Sequence, residues 1–162
     1  MTTTRRRTST FLYITLGIVV AAPVTVLVAA EKSTKDFMHE RHEHYEKLGE
    51  AFKAVRDQSR SSKADVAKIK TAAKVVNDAA AEQDKWFPAG TGPETGVKTR
   101  AKAEIWTKAK DFDSAKKLLS DAAPKLLDAA NSGDVGRVRT QFGEVGKACK
   151  NCHDTFRTPD ED

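Results

Sequence analysis

The chain has 162 residues, of which 31% are charged and only 7% aromatic, and it carries a formal charge of +5. That length gives one domain plus an N-terminal segment, and abundant alanine and lysine with few β-branched runs favour helices. Arg5, Arg6 and Arg7 supply three of the positive charges; beyond residue 30 there are 25 basic against 23 acidic residues, a balance that argues against a nucleic-acid-binding domain.

Residues 1–10 are polar, and Phe11 to Ala30 is a 20-residue run without a charge. As a helix, such a run is long enough to span a bilayer, with the arginines holding its start on the cytoplasmic side. It also has the make-up of an export signal, with Val28-Ala29-Ala30 as small residues before Glu31. Residues 1–30 are therefore expected to be a signal peptide or an N-terminal membrane anchor, and residues 31–162 a domain held outside the cytoplasm.

Four amphipathic helices follow. The first is expected over residues 35–57, with Ser33 and Asp36 as its capping pair. Met38, Tyr45 and Phe52 repeat every seven residues, and Arg41, Leu48 and Val55 repeat on the line between them. Arg41 thus falls on the apolar stripe, where a charge needs a partner. The second helix is expected over residues 63–86, capped by Ser62 and Asp65, with Val66, Ile69, Ala73, Val76 and Ala80 as its inner face. It ends at Trp86-Phe87-Pro88, and the Gly- and Pro-rich residues 89–96 form the one long loop. The third is expected over residues 103–132, where Ile105, Phe112, Leu119 and Leu126 are spaced by seven. Pro124 inside it should kink it or remove one hydrogen bond, and Gly133 stops it. Asp134 caps the fourth, residues 135–157. Along it Val135, Val138, Phe142, Val145, Cys149, Cys152 and Phe156 alternate by three and four. The pattern is all-α: an antiparallel four-helix bundle preceded by an apolar segment.

The fourth helix ends on Cys149-Lys150-Asn151-Cys152-His153, which holds the only two cysteines of the chain. C-x-x-C-H is the spacing of covalent c-type haem attachment. Two thiols one helical turn apart can add to the two vinyl groups on one edge of a porphyrin, and the adjacent imidazole then comes under the ring to ligate the iron. Both cysteines lie on the core stripe, so the haem would sit inside the bundle, where four-helix bundles hold their cofactors. Two other readings stay open. A zinc site could draw three ligands from Cys149, Cys152 and His153 and a fourth from His39, His42 or His44. A buried structural cysteine pair is the simplest alternative. A thioredoxin-like dithiol fits poorly, because that motif needs a βαβ setting and no strand pattern is visible. No nucleophile–base pair stands out, so the chain is not expected to be an enzyme, and any chemistry would belong to the cofactor.

Residues 35–157 resemble the cytochrome c′ family. The likeness is carried by the C-x-x-C-H of the last helix, continued as Asp154-Thr155-Phe156-Arg157, and by Phe142-Gly143-Glu144-Val145-Gly146-Lys147-Ala148 just before it. Glu104-Ile105-Trp106 after the loop and the inward Arg41 complete it. The resemblance implies one haem c attached through Cys149 and Cys152, with His153 as the only protein ligand of a pentacoordinate iron. Arg41 either pairs with a haem propionate or is an ordinary arginine whose stem packs and whose head reaches solvent. The resemblance also implies that Tyr45, four residues after Arg41, walls the distal face. A tyrosine there departs from the apolar residue the family often carries, and its phenol could block that face or hydrogen-bond a ligand. His42 stands where the family often has glutamine, which puts a further nitrogen near the iron. Lys147, Lys150 and Arg157 either surround the exposed haem edge and guide an acidic redox partner, itself unidentified, or form an ordinary solvated helix face.

The function so implied is an extracytoplasmic haem protein that binds small diatomic ligands (NO, CO), transfers electrons, or both, as a homodimer packed through its first two helices. One alternative is a six-coordinate, low-spin electron carrier of the same fold with His42, or Met38, as sixth ligand. Another, of a different class, is a haemless metal-binding or structural bundle that uses the histidines.

Overall fold

The computed structural model describes residues 32–159; the segment 1–30, expected to be a signal or an anchor, lies outside them. Among the described residues the elements are α1 (Thr34–Arg60), α2 (Val66–Glu82), α3 (Glu104–Thr107), α4 (Ala109–Ser132) and α5 (Val135–Phe156). Single 3₁₀ turns occupy Gln83–Trp86 and Pro93–Thr95. The four long helices close a bundle: α1 packs on α2, α2 on α4, α4 on α5, and α5 returns to α1. Short links between α1 and α2 and between α4 and α5 make those pairs antiparallel neighbours. No helix among the described residues is long and apolar enough to cross a membrane.

Local chemistry sets most boundaries. Ser33 and Asp36 form the expected capping box on α1: the Ser33 hydroxyl accepts from the Asp36 N–H at 3.2 Å, and the Asp36 carboxylate accepts from the Ser33 N–H at 3.3 Å. Asp134 caps α5 by accepting from the Arg137 N–H at 3.0 Å. Gly133 ends α4 in the left-handed conformation, φ 75°, and its N–H returns to the Ala130 carbonyl. α4 runs through Pro124, whose missing N–H falls on an exposed position.

α1 runs on to Arg60, and α2 gives way after Glu82 to a 3₁₀ turn; two further departures from expectation have a visible local cause. The second helix starts later, at Val66, because Asp65 is itself the cap and accepts from the Lys68 N–H at 3.1 Å. The Asp65 N–H in turn donates to the Gln58 side chain of α1 at 3.2 Å, so Ser62 is left in the turn. The expected third helix is broken at Lys108, φ −120° and ψ 49°, into the single turn α3 and the long α4. Tertiary anchors hold that turn: Ile105 is buried, and the Trp106 indole N–H donates to the Pro88 carbonyl at 3.1 Å.

The interior has two parts. The larger packs Leu48, Val55, Ile69, Val76, Leu126, Val138 and Val145 around small residues such as Ala73, Ala123 and Ala130, which let the helices approach closely. The smaller is Ile105, Phe112, Ala115 and Phe156, with Phe87 and Trp106 against it. Cys149 packs on the first cluster and Cys152 on the second, so the C-x-x-C turn lies at their junction. In so tightly filled an interior, Ile69→Val, which deletes one methylene at a site 1% exposed, is expected to cost about 1 kcal/mol in urea unfolding.

Candidate haem site

The site is built on the last turns of α5. Cys149 and Cys152 are free, half-buried thiols on its inner side. Burial raises both: Cys149 goes above its ordinary value, and Cys152 is pushed up to about 11 by burial first and by the neighbouring Cys149 second. A reactive dithiol wants the opposite, a lowered pKa in an electropositive setting. The zinc alternative gains no support: among the described residues no three His, Cys, Asp or Glu side chains are grouped to hold a metal. His39 faces Glu43 at 3.5 Å and His42 faces Glu46 at 3.3 Å, both on the exposed side of α1. His44 stacks flat on Trp86, ring centroids 4.7 Å apart.

The donor set fits a covalently bound porphyrin. Two thiols one turn apart line the junction of an aliphatic and an aromatic cluster, with a histidine directly after them. The His153 ring makes no hydrogen bond among the described residues. Partial desolvation, then Arg157 and Arg100, lower its pKa against a smaller opposing effect of Asp154, which favours the neutral imidazole that binds iron.

Across from the cysteines stands Tyr45 of α1. Its ring meets Trp86 edge-on at 5.0 Å and Phe87 at 6.1 Å. Burial raises its phenol far above the ordinary value, with Cys152 and Cys149 near enough to add to the effect and Arg41 opposing it. The structure therefore brings Tyr45, expected from the heptad and the resemblance, to the cysteine pair. His42 is on the exposed side of α1, and Met38 is buried under the loop, where its sulfur accepts from the Thr95 hydroxyl at 3.5 Å.

Arg41 is 5% exposed, so its head does not reach solvent. Its guanidinium donates to the Thr91 carbonyl at 2.8 Å and the Thr91 hydroxyl at 3.1 Å, with longer contacts of 3.5 Å to the Trp86 carbonyl and the Thr99 hydroxyl. It also lies over Phe87 at 4.9 Å and Trp106 at 5.8 Å. Its hydrogen-bond partners are neutral, and they pin the Gly/Pro loop to α1. Sequence reasoning placed Arg41 inward but missed these partners. Gly92 was a signal: its N–H donates to the Glu94 carboxylate at 3.1 Å, and a Cβ there would collide with that carboxylate and lie 2.8 Å from the Trp106 ring. Lys147 and Lys150, expected at the haem edge, are exposed and paired within α5 to Glu144 at 2.8 Å and Asp154 at 2.6 Å.

A four-helix bundle with a C-x-x-C-H turn closing its last helix defines a bundle-type c-type haem protein. The chain belongs to the cytochrome c′ family, whose model matches residues 36–157. It is 38% identical over 93 residues to the cytochrome c′ of Alcaligenes xylosoxydans xylosoxydans, an alignment covering 57% of this chain and 69% of that one. A solved cytochrome c′ described as having an unusual ligand-controlled dimer dissociation superposes with a TM-score of 0.74 at 28% identity, over 80% of this chain and all of the other. The nitric oxide complex of a mutant cytochrome c prime from Alcaligenes xylosoxidans gives 0.67 at 29% identity, over 79% of this chain and 98% of that one. The cofactor of this chain is accordingly a c-type haem, attached through Cys149 and Cys152.

Proposed function

We propose that this chain is an extracytoplasmic haem protein in which His153 is the only side chain on the iron, leaving an open position against Tyr45 for small diatomic ligands, NO and CO. When bound, the haem supplies an iron that accepts such a ligand or an electron. The observation that carries the reading is the position of Tyr45 beside Cys149 and Cys152, while His42 is paired with Glu46 and Met38 lies under the loop. That arrangement favours a phenol wall over a sixth nitrogen or sulfur ligand. The nitric oxide complex of a related cytochrome c prime supports the ligand class.

The side chains bind and orient rather than react. With haem bound, His153 would hold the iron, Tyr45 would limit access from α1, and Arg41, whose Nη donors are taken by Trp86, Thr91 and Thr99, would offer its Nε–H to a haem propionate. We read the chain as a binding or electron-carrying protein and not as an enzyme. Residues 1–30 export or anchor it, and two copies associate through α1 and α2, in keeping with the dimer described for a solved relative. Electron exchange with an acidic partner gains little support from Lys147 and Lys150, because each is already paired within its own helix.

Absorption spectra of the exported, haem-loaded protein test the reading. A high-spin ferrous spectrum that changes on adding NO or CO is expected; a sharp low-spin spectrum indifferent to gas would mean a sixth protein ligand. His153→Ala should keep the haem attached and change the spectrum, and an unchanged spectrum would remove His153 as the axial ligand. Tyr45→Leu should speed CO binding in flash photolysis by roughly tenfold or more, a barrier change of about 1.4 kcal/mol. Unchanged rates would put the phenol away from the iron.

A further inference from the structure

We propose that the antiparallel bridge between residues 100–102 and residues 156–158 is a strap that positions His153, so that the orientation of the axial imidazole is set from the backbone of α5 rather than by a hydrogen bond to its ring. The inference rests on His153 being the axial ligand. Iron-bound histidines are ordinarily oriented by a carboxylate or carbonyl that accepts from the second ring nitrogen. Among the described residues the His153 ring has no such bond, and its surroundings include two cations, Arg157 and Arg100. Among the described residues no hydrogen bond to the ring holds it in place.

The backbone is in a position to do so only if it is held. His153 lies in the last turn of α5, which ends at Phe156. The last carbonyls of a helix lack intrahelical partners, and an untethered final turn opens at little free-energy cost. Here the missing donors come from the segment before α3. The Lys102 N–H donates to the Phe156 carbonyl at 3.0 Å, and the Lys102 ammonium donates to the Thr155 carbonyl at 3.3 Å. The Thr158 N–H donates back to the Arg100 carbonyl at 2.9 Å. The Arg100 guanidinium grips the Thr158 carbonyl through Nε and Nη2 at 3.2 and 2.7 Å. Ala101 and Arg157 form the bridge between these bonds, and the Arg157 N–H closes on the carbonyl of His153 itself at 3.2 Å. Phe156, 4% exposed among Ile105, Phe112 and Ala115, anchors the turn from inside.

The strap also reaches the other side of the site. The Thr99 hydroxyl accepts from the Ala101 N–H at 3.2 Å and from Arg41 at 3.5 Å. One continuous segment therefore touches α1, which carries Tyr45, and the turn that carries His153. A functional ligand tolerates an error of only about half an ångström and 10–20° before its geometry is lost, and this connection supplies that constraint.

The test uses haem-loaded protein and two readouts: amide hydrogen exchange at Arg157, and the iron–histidine stretching band of the ferrous protein by resonance Raman. Thr158→Pro deletes one strap donor; Arg157 before it is already extended, φ −119° and ψ 136°, as a residue preceding proline prefers. Lys102→Pro deletes the opposite donor and serves if Thr158→Pro does not fold. Thr158→Ala keeps the N–H. In either proline variant, exchange at Arg157 is expected to quicken by about tenfold or more, and the iron–histidine band to shift and broaden; Thr158→Ala should keep the wild-type band. A wild-type band in both proline variants despite faster exchange would overturn the strap as a positioning device, as would unchanged exchange. If His153→Ala retains the wild-type band, the axial assignment fails instead, and the strap's role falls with it.

Discussion

Replacing Arg41 by alanine is expected to destabilise the folded domain by about 3 kcal/mol, because it removes a charged donor from buried neutral acceptors and leaves them unpaired. The guanidinium is 5% exposed and donates to the Thr91 carbonyl and hydroxyl at 2.8 and 3.1 Å. Without it the Thr91 carbonyl is left buried with no replacement donor evident, a penalty of roughly 1–3 kcal/mol for one group. The cation also fills the space beside Phe87 and Trp106, so truncation adds a void to the lost hydrogen bonds. Arg41→Met keeps most of that packing and removes only the donors, so it should recover part of the loss. Urea unfolding of the three proteins separates the two contributions. Equal stability of Arg41→Ala and wild type would mean that the loop is held by other means.

Arg41 also marks where the sequence stops being informative. Its inward position follows from the spacing it shares with Leu48 and Val55, because helical periodicity decides which face a residue occupies. Its partners do not follow, because two of them are main-chain carbonyls, a group that every residue carries. The same reason hides the strap: the Lys102, Phe156, Arg100 and Thr158 backbone groups that build it leave no mark in side-chain identity. The C-x-x-C-H turn is the opposite case, since its chemistry resides in side chains at fixed spacing. Competition between equivalent signals explains the shifted start of α2. Ser62 and Asp65 are both good caps, and the tie is broken by Gln58, a residue of α1 that fixes the Asp65 N–H. At Lys108 the periodicity itself misleads. Ile105 and Phe112 keep their seven-residue spacing and enter the same cluster although the helix between them is interrupted, so the interruption leaves the apolar pattern intact.

Tyr45 was legible as a stripe residue, and its burial makes a second large effect measurable. Above pH 10 the domain should lose stability at up to about 1.4 kcal/mol per pH unit through this one residue, or roughly 3 kcal/mol by pH 12. The sign follows from the raised phenol, whose first cause is burial and whose second is the neighbouring cysteines. A phenol in the unfolded chain titrates near 10, while the folded one keeps its proton well beyond that. Below pH 10 both states are protonated and the contribution is complete; above it the unfolded state alone sheds the proton, and folding becomes less favourable with each unit until the folded pKa is reached. Attachment of haem converts both thiols to uncharged thioethers and leaves the larger cause, burial, in place. Lys116, whose pKa burial lowers but its ion pairs with Asp84 and Asp113 raise by more, also responds to alkaline pH. The comparison is therefore with Tyr45→Phe, which shares every other group. Urea midpoints at pH 9, 10 and 11 should fall faster for the wild type than for Tyr45→Phe. Parallel falls would show that the phenol ionises as freely in the folded state as in water. A residue so hydrated could not be the wall that screens the iron, and the slow, crowded ligand site proposed for this chain would lose its barrier.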